Sequence, residues 1–153
     1  MAKGRKASTT DADLCMKLFK LRRETEMRKA RNFMNFEFHP QGVDDVLKLL
    51  QALGTQENAW ARQVFSFWEY AASFILNEIV HPGLFFGWNG EMVFVYAKFK
   101  PFLKELRQKM ENPDFLAGVE KAVNSLPEMR KRVDMIQKRM AKMAEKAQAA
   151  KSQ

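Results

Sequence analysis

The chain has 153 residues and a net charge of +8, from 26 Lys and Arg against 18 Asp and Glu, and 46% of it is hydrophobic. That balance excludes a disordered or low-complexity chain, because enough apolar side chain is present to offset the entropy of ordering about one domain. A single cysteine, Cys15, excludes an internal disulfide and a cysteine-based zinc site, and no uncharged run approaches the roughly 20 residues of a membrane-spanning helix.

The charge is unevenly placed. Residues 1–31 carry ten Lys/Arg and four Asp/Glu, residues 32–100 four and seven, and residues 101–153 twelve and seven. Thirteen aromatic residues lie between Trp60 and Phe102, so an aromatic, mildly acidic centre is flanked by basic ends. Residues 1–9 are polar and basic and read as a disordered arm, without the apolar stretch of a secretory leader. The expected location is a reducing cytoplasm.

Thr10 and Asp11 are placed to cap a helix beginning near Ala12, with Leu14, Leu18 and Leu21 on one stripe. The pattern resumes through Met27, Ala30, Phe33, Met34 and Phe36 until Pro40, with a break expected near Arg23. Gly42 precedes a second helix carrying Val43, Val46, Leu47 and Leu50, ended by Gly54. Thr55 caps a third over 56–80, whose apolar face runs from Trp60 through Val64, Phe67, Trp68, Ala71 and Ile75. His81-Pro82-Gly83 ends it, and 82–90 reads as a short aromatic connection.

Asn89 opens a fourth helix to about Met110, with a kink or a break expected at Pro101 because proline removes one backbone hydrogen bond. Asn112-Pro113 reads as a cap and first helical position for a short fifth helix. Ser125 and Glu128 have capping-box spacing ahead of the last helix. There Met129, Val133, Ile136, Met140, Met143, Ala147 and Ala150 alternate spacings of four and three, a heptad seam with Lys and Arg at most other positions. Nothing alternates with period two for long enough to predict a strand. The fold class is all-α: an irregular bundle of five to six helices with long basic N- and C-terminal helices. Its predicted parts are the arm 1–9, a helical domain 10–126 with its aromatic core in 60–126, and a heptad helix over 127–150.

Three features invite a functional reading. Glu78-x-x-His81 has the spacing of a carboxylate–imidazole pair on one helix face, but its twin is missing, since Phe36 precedes His39 where a second motif needs Glu. The pair is carried forward as a candidate buried polar group, with Glu69 nearby as the third member of any polar pocket. Leu84, Phe85, Phe86 and Trp88 either plug the end of the helix pair or form a contact loop for a partner or membrane surface. The seam Met129, Val133, Ile136, Met140 and Met143 is the candidate oligomer contact, pairing with Leu14, Leu18 and Leu21 in the same chain or a neighbour. No catalytic, cofactor or metal residues are assigned: Cys15 sits on an amphipathic helix as filler, and no nucleophile elbow or phosphate loop occurs.

The central segment resembles a family of small bacterial all-helical proteins of unknown function. The resemblance rests on Phe67-Trp68-Glu69-Tyr70-Ala71-Ala72, the Gly83 turn, the aromatic helix from Glu91 to Phe102, Glu105-Leu106-Arg107 and Asn112-Pro113-Asp114-Phe115, over residues 60–125. It implies a helical fold and brings no activity or site residues. In that family a membrane-spanning N-terminal helix is common, whereas this chain carries a charged helix there. The functional expectation is a non-enzymatic interaction or scaffold module, self-associating through its terminal helices. The alternative is a peripheral binder of anionic membrane or nucleic acid through residues 1–31 and 127–151.

Overall fold

The computed structural model describes residues 5–151, and among them every regular element is helical. The order is α1 (Thr9–Arg22), α2 (Thr25–Asn32) running into a π-turn at Phe33–Glu37, α3 (Val43–Gln51), α4 (Gln56–Leu76), α5 (Pro82–Trp88), α6 (Gly90–Phe99), α7 (Leu103–Lys109), α8 (Ala117–Asn124) and α9 (Pro127–Lys151). These nine α-helices exceed the expected five to six because two long predicted helices are each divided and the 82–90 connection forms a helix of its own.

The first division falls where the break was expected. α1 ends at Arg22, and the Glu24 carboxylate accepts the Met27 N–H to start α2 as its own N-cap. Arg31 then donates to the Arg22 carbonyl at 3.1 Å, satisfying a group that the broken helix leaves open. The second division is at Pro101, which separates α6 from α7.

Several helix starts differ from expectation. Ser8, not Thr10 or Asp11, caps α1, in a capping box with Asp11 at the third helical position. The chain is therefore fixed from Arg5 onward, since Arg5 pairs with Asp11 at 2.5 Å; of the predicted arm, residues 1–4 lie outside the described residues. The aromatic connection is itself a helix, α5, with Pro82 at its first position, which suits proline's fixed φ and missing N–H. Asn112-Pro113 opens a turn, and α8 begins only at Ala117 after Leu116 in the left-handed region. Ser125 donates its hydroxyl to the Ala122 carbonyl and closes α8 instead of capping α9.

α4 is the central element. Ala61, Val64, Phe65, Trp68, Ala71, Ala72 and Ile75 recur at the helical period and are all buried, against α2, α3 and α8. Around it Tyr96, Phe85, Phe99, Met34 and Met92 are fully enclosed, each contributing about 1.5–3 kcal/mol by leaving water. Phe65 meets both Phe99 and Phe115 edge-on, at 5.0 and 5.4 Å, so α4, α6 and the turn before α8 share one aromatic centre. α9 lies on α6 and α8.

Candidate functional site

The polar residues singled out in the sequence serve the backbone. Glu78 is exposed, so it is not a buried group, and its φ of 58° places it in the left-handed region just past α4. There the Glu78 N–H donates to Ile75 O and the Ile79 N–H to Phe74 O, the two bonds of a Schellman ending. His81 is half-buried and starts α5: its Nδ1 accepts the Leu84 N–H at 3.3 Å. Glu69 accepts the N–H groups of Gly118 and Val119 at 3.2 and 3.0 Å, which caps α8 in place of Leu116, whose side chain makes no cap. The three residues thus do three separate jobs and are not gathered into one pocket. Among the described residues no group of three His, Cys, Asp or Glu side chains is placed to hold a metal ion.

The contact loop divides in two. Phe85 and Phe86 are buried and meet edge-on at 5.4 Å, and Leu84 is half-buried against the core. Trp88 alone projects, 69% exposed. Cys15 is buried, and that burial raises its thiol pKa, in keeping with packing rather than reactivity.

Two charged groups inside the fold carry no local sequence signal, Glu91 and Lys98. At the start of α6, Glu91 accepts a forked pair from Arg31 (2.6–3.0 Å) and a further bond from Arg22 at 3.3 Å. The Arg22 guanidinium also lies 5.4 Å from the Trp68 ring centroid. This joint locks α1 and α2 to α6, and burial lowers the Arg22 pKa despite its acid partner. Lys98 is buried with its ammonium donating to Met34 O at 2.6 Å, at the π-turn. Burial pulls its pKa down to about 8. The amine supplies a donor to a carbonyl at the end of a helix, a structural use that its surroundings account for.

An open groove of about 420 Å³ runs beside Phe38, His39, Asp45 and Lys48. Its polar groups are engaged locally: His39 Nε2 meets Phe36 O at 2.9 Å, and Asp45 accepts the Gln41 N–H at 2.8 Å.

Among the described residues, the longest continuously exposed stretch of helix is the outer half of α9. The seam starts inside the fold, with Val133 buried and Met129 and Ile136 half-buried against the core. Gln137 donates to Ala97 O at 3.2 Å, and Arg130 donates to Asn124 O. Arg132 rests on Gly90, where any Cβ would collide with its guanidinium. Beyond Met140, which is half-buried, every residue from 141 to 151 is exposed, and Met143 is 71% exposed. The stripe Leu14–Leu18–Leu21 does not serve as its main partner: α1 packs on α5 and α2, and α9 on α6 and α8. No helix of the described residues is long and apolar enough to cross a membrane.

No curated protein and no solved structure matches this chain. A family defined as a domain of unknown function, DUF4760, matches residues 7–126. The match reaches well before residue 60, so the charged α1 and α2 are part of the shared domain, while α9 follows it. By that match over most of its length, the chain belongs to the DUF4760 family.

Proposed function

We propose that the protein is a non-enzymatic interaction module whose compact body, α1–α8, anchors α9 as a docking helix. The observation that supports this is the continuation of the heptad seam past the body, where Met143, Ala147 and Ala150 stay exposed among the described residues. A free helix of some twelve residues is marginal in water, so its apolar stripe gains most from a second helix laid along it. A second copy of the chain is one such occupant, which makes self-association through the terminal helices one form of this reading. Photo-crosslinking from position 143 in cells, compared with exposed Lys104 on the body, tests the module itself. Discrete adducts from 143 alone are expected, with the partner's peptides identified by mass. An equal pattern from both positions removes α9 as the docking element.

A second reading is favoured by the charges of α9. Lys131, Arg132, Lys138, Arg139, Lys142 and Lys146 fall within an arc of roughly 120° at 100° per residue, with Asp134 and Glu145 outside it and only Glu128, in the first turn, inside it. Such a predominantly cationic flank attracts anionic membrane or nucleic acid. The N-terminal arm offers less, because Arg5, Arg22, Lys29 and Arg31 are already paired with Asp11, Glu91 and Glu26. Co-sedimentation with acidic vesicles and electrophoretic shift of duplex DNA, at low and high salt, test this reading; no binding at low salt eliminates it.

A further inference from the structure

We propose that the occupant of the outer half of α9 is a helix with acidic flanks from a different chain; this rests on α9 being the docking element. The seam fixes a heptad register. Met129, Ile136, Met143 and Ala150 take position d, and Val133, Met140 and Ala147 take position a. Arg132, Arg139 and Lys146 then occupy every g position, and Arg130, Gln137, Ala144 and Lys151 the e positions. Neither flank of the seam carries an acid. Glu128, Asp134 and Glu145 fall at c, b and f positions, away from it.

That distribution discriminates between partners. A second α9 laid antiparallel sets g against g, cation against cation, and e against e, where no acid occurs. Laid parallel, it sets Arg139 against Ala144 and Lys146 against Lys151. No register gives the chain an opposite charge from its own copy, whereas glutamates at the partner's flanks meet Arg139 and Lys146 directly. Size points the same way. Ala147 and Ala150 leave the far end of the seam shallow, so the fitting helix supplies the bulk, with leucine-sized side chains at its own a and d positions. Two heptads of contact make a weak, salt-sensitive and reversible complex.

The test uses the full chain and two synthetic three-heptad peptides, both with Leu at a and d, one flanked by Glu and the other by Lys. Fluorescence anisotropy is expected to show binding of the Glu peptide and none of the Lys peptide, weakening as salt rises. Arg139→Glu with Lys146→Glu should weaken the Glu peptide about tenfold or more and admit the Lys peptide. Both pairs of residues altered here are exposed, and circular dichroism checks that helicity is kept. Equal binding of the two peptides, or binding of neither, overturns the acidic-partner inference. A concentration-dependent dimer abolished by Met143→Asp with Ala147→Asp overturns it too, in favour of a second copy, while leaving the docking role of α9 standing. Glu-peptide binding that neither double variant changes overturns both, because the peptide then sits elsewhere.

Discussion

The Asp11 carboxylate accepts the backbone N–H of His81 at 2.8 Å, tying the start of α1 to the start of α5 across seventy residues of sequence. The same carboxylate receives a forked pair from Arg5 and the N–H and hydroxyl of Ser8. Two helix N-termini, each bearing partial positive charge, thus converge on one buried anion. Arg5 first, then Ser8 and His81, hold this carboxyl well below the usual carboxylate range.

An acid-sensitive stability follows from that arrangement. With its folded-state pKa depressed, Asp11 contributes stability that is fully present above the ordinary carboxyl value of about 3.9. As pH falls below that value the unfolded chain takes up a proton first, and the contribution is progressively lost. Thermal melts between pH 5 and 2 should show this loss. Asp11→Asn, which keeps the shape but not the charge, should melt several degrees lower at pH 7 and show a shallower acid slope. An unchanged slope in the variant would assign the acid sensitivity to other carboxylates.

This contact also marks where sequence reading stopped. Periodicity located the α4 face, the break near Arg23, the Pro101 division and the α9 seam, because each depends on local spacing. What spacing cannot locate is a cap supplied from a distant segment: Glu69 serves α8 from forty-nine residues away, and Asp11 serves His81. α5 has no helical signal of its own, because its seven residues include two glycines, which lower intrinsic helix propensity. Burial of Phe85 and Phe86 overrides that preference. The recurrence of Arg132, Arg139 and Lys146 every seven residues was a signal within reach, found by lettering the heptad and reading its flanks.

Lys98 predicts a second rise of stability with pH, in the alkaline range. Its pKa falls from 10.5 to about 8 because the buried ammonium has lost water. Below pH 8 both states carry the proton, and folding bears the whole desolvation penalty. Between 8 and 10.5 the unfolded chain stays protonated while the folded one does not, so stability rises with pH by on the order of 3 kcal/mol. Urea titrations across that window, compared with Lys98→Met, check this. The variant should lack the rise, and a parallel course of the two curves would refute the assignment.

Glu111 carries a strain that glycine removes. It sits at φ 50° after α7, where the Glu111 N–H donates to Gln108 O and the Asn112 N–H to Arg107 O. This second Schellman ending again puts a glutamate in the left-handed position where a Cβ is unfavourable. Glu111 is exposed, so little packing is lost on substitution. Glu111→Gly should stabilise the fold by about 1 kcal/mol, raising the melting temperature by about 2–4 °C. Glu111→Ala, which keeps the Cβ, should give no such gain.

The cap that Glu69 supplies to α8 makes Gly118 a position whose preferred residue depends on another side chain. A Cβ built on Gly118 would lie 2.6 Å from Glu69 Oε2, so alanine there must push the carboxylate off the Gly118 and Val119 N–H groups. In the native background Gly118→Ala should therefore cost about 1 kcal/mol through the lost cap, more than helix propensity returns. Glu69→Ala alone should also destabilise, since it leaves two N–H groups at the start of α8 without their acceptor. With Glu69 already alanine, nothing remains for the new Cβ to displace, and Gly118→Ala should become stabilising by up to about 1 kcal/mol. A double-mutant cycle measured by chemical denaturation reads this change of sign directly. Simple additivity would mean that the carboxylate does not cap α8 in solution.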